Sequence, residues 1–126
     1  MMNIRVWDYA YIFATIGLTV YGQLMLKWRI GAYGPLPAEP FDKLKFLTGL
    51  LLDPLILSGF TAAFGAALAW MAAMTKFDLS HAYPFMTLNF VLVLLLSGWL
   101  FQEPVTAMKV IGVMLIVIGT IVSALG

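Results

Sequence analysis

Tyr83, Pro84, Thr87 and Asn89 stand close together in an otherwise apolar stretch, and Glu103-Pro104 follows where that stretch ends. Hydrocarbon offers such groups no partners, so they must be satisfied by protein or line a cavity, and their clustering points to a path for a polar ligand. Upstream, Tyr11, Thr15, Thr19, Gln23 and Lys27 recur at every fourth position, which sets hydrogen-bonding groups along one winding stripe. The threonines are expected to bond back to their own helix. Gln23 and Lys27 are different, because a buried amide four residues from an ammonium needs another helix, a phosphate or a hydroxylated ligand. Lys27 could hold an anion as a point charge, or snorkel to the headgroups.

Tyr83 and Thr87 lie four apart on one helical face, from which Asn89 points away, so Asn89 serves either a ligand or an interhelical hydrogen bond. Trp70, a large ring at the end of a tract of small residues, is either an interface anchor or a ligand contact. Glu103 either terminates the third helix or caps the fourth, where negative charge is favourable, or it meets a cationic or hydroxylated headgroup at the membrane surface. His81 reads as an interfacial residue. With one histidine and no cysteine, neither a metal site nor a disulfide is expected, and no cofactor is implied.

The elements that carry these residues are membrane spans. The chain of 126 residues is 63% hydrophobic and only 10% charged, far below the roughly quarter-charged average of soluble domains. Its mean hydropathy is +0.98. These values predict an all-α integral membrane protein, a single four-helix transmembrane domain over residues 1–126, with no length left for a soluble catalytic domain. A net charge of +1 provides no polybasic patch for nucleic acid. The amino end, with Arg5 before Asp8, does not resemble a cleaved signal peptide, so the first helix is expected to remain.

The spans are predicted at about 8–28, 54–75, 81–101 and 105–125. Residues 29 to 41 carry Gly31, Gly34, Pro35, Pro37 and Pro40 and should form an irregular connector. From Phe41 to Leu52, apolar residues at three- and four-residue intervals predict a short amphipathic helix in the interface, between the first and second spans. Asp53-Pro54 is a sound helix start, Asp as N-cap and Pro at the first helical position. Pro84 is placed in the first turn of the third span, where it costs little. The small residues between Gly59 and Ala73 predict close helix packing, and Gly112 and Gly119, seven apart on the fourth span, predict a helix-packing or dimer face. Lys27, Arg29, Lys43, Lys45 and Lys109 outnumber Arg5 and Lys76 on the opposite side, so the positive-inside rule favours both termini outside.

The run Ala82-Tyr83-Pro84-Phe85-Met86-Thr87-Leu88-Asn89-Phe90-Val91, with Glu103-Pro104-Val105-Thr106 and Gly112-Val113-Met114-Leu115-Ile116-Val117-Ile118-Gly119, resembles the four-helix drug/metabolite transporter superfamily, EamA-like and small multidrug resistance-like. Gly22-Gln23-Leu24-Met25-Leu26-Lys27 is similar to that group's Gly-Gln-x-x-x-Lys segment, and Trp70 agrees with it. Within the superfamily the chain looks most like the small subunits of the flippase for 4-amino-4-deoxyarabinose-phosphoundecaprenol, over all but residues 29–53. Small multidrug resistance transporters use a glutamate in the middle of the first helix; between Asp8 and Lys27 this chain has no acidic residue.

The resemblance implies a non-enzymatic flippase subunit of the bacterial inner membrane, pairing with a second copy or a related four-helix subunit. Gln23, Lys27, Trp70, Tyr83, Asn89 and Glu103 would meet a lipid-linked sugar or other small amphipathic substrate, amid membrane lipids. Two alternatives stand beside it. One is a small-solute or cationic-drug exporter, for which Glu103 is the candidate coupling group. The other is a non-transporting accessory subunit whose polar residues only join helices.

Overall fold

The computed structural model describes residues 6–126; the expectations resting on Arg5 lie outside them. A short 3-10 turn, Val6–Asp8, leads into α1 (Tyr9–Tyr33), followed by α2 (Pro40–Leu51), α3 (Pro54–Met74), α4 (Leu79–Met86), α5 (Leu88–Leu100) and α6 (Ala107–Leu125). Among the described residues four spans are long and apolar enough to cross a membrane: Val6–Tyr33, Pro54–Met74, Leu79–Leu100 and Ala107–Leu125. The four-span expectation holds, with α2 as the short helix between the first two.

Helices α1 and α3 form the tightest pair of the fold. Small residues allow it: a Cβ at Gly22 would lie 3.0 Å from the Gly59 carbonyl oxygen, and one at Gly59 would lie 3.3 Å from that of Gly22. The two backbones therefore touch at mid-span, which is how apolar helices gain packing energy where no water is expelled. Tyr21 Oη and Ser58 Oγ add a hydrogen bond of 3.1 Å across the same seam. At the far end Ile12, Ile16 and Val20 pack with Ala73, Phe77 and Ala82 into the buried core.

α1 runs past the predicted end at Trp28 to Tyr33, and its terminus is fastened by Asp53. The Arg29 guanidinium reaches one Asp53 carboxylate oxygen at 2.6 Å, and the Tyr33 hydroxyl donates to the same oxygen. The other oxygen accepts from the backbone N–H groups of Leu55 and Ile56, the N-cap expected from Asp53-Pro54. Gly31, expected in the connector, is thereby helical, and the chain leaves α1 at Gly34, whose φ of 89° suits a residue without a Cβ.

Hydrogen bonds from Arg29 first, then from Tyr33, hold the Asp53 carboxyl well below the usual carboxylate range. Because the folded-state value is depressed, the stabilisation is complete above the unfolded value near ~4 and is lost as pH falls through the folded one. Thermal melting in detergent should be flat from pH 7 to 5 as far as this group is concerned. It should fall below pH ~4, and Asp53→Asn should melt lower at pH 7 with that acid limb reduced.

The third span is broken. Pro84 lies five residues after Leu79, beyond the first turn, where it has no N–H to offer the Ser80 carbonyl. The helix closes in three-residue turns, Thr87 N–H to Pro84 O at 3.1 Å and Phe90 N–H to Thr87 O at 3.0 Å, and restarts at Leu88. The expectation of a harmless first-turn proline is corrected accordingly. Hydroxyls cover the Pro84 carbonyl at the break: Thr87 Oγ1 donates to Pro84 O at 2.6 Å, and Thr120 Oγ1 from α6 lies 2.8 Å from Thr87 Oγ1 and 3.3 Å from Pro84 O. α6 packs on α4 and α5.

Candidate functional site

The six residues expected to meet a ligand fall into two cavities. Gln23 and Lys27 of α1 join Ser97 of α5 and Glu103 around a space of about 250 Å³, closed by Leu24, Val93 and Phe101. Trp70 of α3 joins Tyr83, Met86, Thr87 and Asn89 around a second space of about 360 Å³. Asn89, Val93 and Ser97 are spaced four apart on α5, so both cavities open along one helical face. From Asn89 to Ser97 the helix rises about 12 Å.

Glu103 reaches the first cavity through the chain turn after α5. Gln102 takes a left-handed φ of 55° and turns the backbone out of the helix, and the Glu103 N–H bonds back to the Ser97 carbonyl at 3.4 Å. The capping alternative is corrected here. Thr106 is the N-cap of α6, its hydroxyl accepting from the Lys109 N–H at 3.2 Å, so Glu103 is not needed for that role.

Gln23, read as a buried amide from the sequence, is exposed instead, as is Lys27, and both line this cavity. Among the described residues the one salt bridge is Arg29 to Asp53, so Lys27 and Glu103 share a cavity without pairing with each other. The cavity therefore presents an ammonium, a carboxylate and an amide to whatever enters. An uncompensated pair of opposite charges in one recess suits a ligand that itself carries both signs, or an anion beside a hydrogen-bond donor.

In the second cavity Trp70 and Tyr83 meet edge to face, with ring centroids 6.1 Å apart. Asn89 shares this space with Tyr83 and Thr87, against the expectation that it points away from them, because the break at Thr87 interrupts the regular helical wheel between them. Its Oδ1 is buried and has no hydrogen-bond partner among the described residues. An acceptor left in that state carries a desolvation cost that a hydrogen-bond donor entering the cavity removes. Asn89→Leu is thus expected to leave the melting temperature in detergent unchanged or raised, whereas an Asn that joins helices through Oδ1 would lose stability on the same change.

The remaining residues fall to structural roles. Thr15 Oγ1 donates to Tyr11 O at 2.7 Å, the helix-internal bond expected of the threonines. His81 Nε2 and Tyr9 Oη lie 3.1 Å apart within a ring cluster with Phe77 and Phe85. No group of three or more His, Cys, Asp or Glu residues among those described is placed to hold a metal ion. At Gly112 and Gly119 a Cβ would meet nothing within 4 Å, so this pair makes no close helix contact inside the subunit.

Residues 6–125 match the EamA-like transporter family. The chain belongs to that family. As an EamA-like protein with four apolar spans it is a multi-pass membrane transporter rather than an enzyme. It is 35% identical over 111 residues, covering 88% of this chain and 91% of the relative, to the probable 4-amino-4-deoxy-L-arabinose-phosphoundecaprenol flippase subunit ArnE of Sodalis glossinidius (strain morsitans). To the probable ArnE of Pseudomonas aeruginosa (strain UCBPP-PA14) it is 30% identical over 112 residues, 89% of this chain and 92% of the relative. To the probable subunit ArnF of Aeromonas hydrophila subsp. hydrophila it is 32% identical over 115 residues, 90% and 76% respectively. No solved structure matches the chain. Similarity to both ArnE and ArnF agrees with the EamA-like, small-flippase resemblance read from the Tyr-Pro, Asn-Phe and Glu-Pro segments.

Proposed function

We propose that this EamA-like chain is a subunit of a flippase for a polyprenyl-phosphate-linked sugar in the bacterial inner membrane. The observation that carries the reading is the cavity in which Lys27 and Glu103 lie unpaired beside Gln23. Lys27 would hold the phosphate, Glu103 an amino group on the sugar, and Gln23 either the phosphate or a hydroxyl. A cationic drug alone would leave Lys27 uncompensated, so the arrangement favours an amphoteric headgroup over the exporter reading. The names of the relatives support the same class of substrate.

The second cavity, with Trp70, Tyr83 and Asn89, would receive the sugar ring as it crosses. An aromatic wall with a free amide oxygen suits a body that is apolar on its faces and hydroxylated at its edge. With the basic connectors toward the cytoplasm, the Lys27 cavity opens where a lipid-linked precursor would load. Gly112 and Gly119 leave a smooth strip on α6, on which a second copy or a related four-helix subunit would pack to complete the path.

Reconstitution into vesicles tests this. The protein, alone and together with a related four-helix subunit, should move undecaprenyl-phosphate-linked aminosugar between leaflets faster than empty vesicles. Folded protein that leaves the rate at the background level in both preparations would overturn the proposal.

A further inference from the structure

We infer that the apolar groove beside the polar cavity holds the segment of the polyprenyl chain nearest the phosphate; the inference rests on the headgroup reading above. The groove, about 320 Å³, is lined by Tyr21, Leu24, Met25 and Trp28 of α1 with Leu100 of α5 and Phe101 just after it. On α1 these four stand at i, i+3, i+4 and i+7, one continuous helical face, while Gln23 and Lys27 occupy the adjoining face at the same height. Leu24 and Phe101 line both spaces. The polar cavity and the groove therefore share Leu24 and Phe101 as a common wall.

Three features select a hydrocarbon chain as occupant. The only hydroxyl in the lining, that of Tyr21, is already engaged with Ser58 on α3 at 3.1 Å, and the remaining lining residues carry no charge. Tyr21, Trp28 and Leu100 are exposed, Trp28 to 53%, so the groove opens sideways to the bilayer. A chain joined to a phosphate at Lys27 must also leave the cavity within a few bonds, and the shared wall of Leu24 and Phe101 is where an apolar exit adjoins it. The volume lies at the low end for ligand pockets, ~300 to 1,000 Å³. It suits the proximal units of a long chain, the rest of which stays in the membrane.

Burial from lipid into such a groove gains nothing by expelling water. Its contribution is van der Waals fit, which a methyl-branched, unsaturated chain and a straight acyl chain satisfy differently. The groove would thus distinguish a prenyl phosphate from an ordinary anionic phospholipid that offers Lys27 a similar charge.

Native mass spectrometry of the full chain in detergent, with undecaprenyl phosphate competing against phosphatidic acid, tests this. Wild type should retain undecaprenyl phosphate preferentially. Met25→Trp and Leu100→Trp, which fill the groove from opposite walls, should each reduce that preference by about fivefold or more, a loss of ~1 kcal/mol of selectivity. Retention of phosphate lipids as a class should persist in both and depend on Lys27. An undiminished preference in either folded variant would overturn the groove assignment while leaving the headgroup reading intact. Loss of a second protein subunit, instead of lipid, would also overturn it and make the groove an interface. Phosphate retention indifferent to Lys27→Met would remove the headgroup reading, and the groove assignment with it.

Discussion

Lys27→Met should lower lipid translocation by about tenfold or more while leaving the bundle folded. Methionine keeps the length and most of the apolar stem, so the packing of α1 against α5 is preserved and only the charge is removed. Lys27 pairs with no acidic group among the described residues, so its loss leaves no buried partner stranded. What disappears is a charge-assisted contact to the headgroup, worth ~1.5 to 3 kcal/mol, or about one to two decades in affinity. The rate in reconstituted vesicles measures the loss, with melting in detergent as the control for folding. Wild-type translocation by a well-folded Lys27→Met protein would place the phosphate elsewhere.

Gly22→Leu should abolish assembly of the α1 and α3 pair. A Cβ there would stand 3.0 Å from the Gly59 carbonyl oxygen, and backbone cannot retreat as a flexible side chain would. The helices would have to separate along their whole seam, breaking the Tyr21 to Ser58 bond and loosening the Arg29 to Asp53 anchor. The expected cost is about 3 kcal/mol or more, at the upper end for overpacking, because the obstacle is main chain. Gly17→Leu, on the same helix with nothing within 4 Å of its Cβ, should be tolerated. Melting temperature and resistance to denaturing detergent separate the two variants, and equal stability would mean that the contact is dispensable.

Much of the fold was legible because hydrophobicity and length govern membrane spans so directly. Asp53-Pro54 was readable as a helix start from local chemistry alone, and the small residues of α3 announced a close approach. The end of α1 was not, because the bond that extends the helix to Tyr33 joins Arg29 to an aspartate twenty-four residues away. Nor was the break at Thr87. Pro84 reads as a first-turn residue only if the helix begins near His81, and it begins at Leu79.

The break at Thr87 also explains the misplacement of Asn89, since a helical wheel drawn through it sets that residue on the wrong face. The candidate site was legible in its residue types and not in its grouping. Gln23, Lys27 and Glu103 come from α1 and from the connector after α5, so their convergence is a tertiary fact. Glu103 was ambiguous until Thr106 proved to be the cap. The apolar face of Tyr21, Leu24, Met25 and Trp28 carries a helical spacing signal, but in a membrane span that spacing does not distinguish a groove from a lipid-facing surface.

We propose that one recess holds both charges of an amphoteric lipid headgroup. Its most direct test compares binding of undecaprenyl phosphate with and without an amino sugar to purified wild type, Lys27→Met and Glu103→Gln, by native mass spectrometry. Wild type should favour the amino-sugar form, Glu103→Gln should retain both lipids but lose that preference, and Lys27→Met should release both. Retention of both lipids at wild-type levels by Lys27→Met, or an undiminished amino-sugar preference in Glu103→Gln, would contradict it.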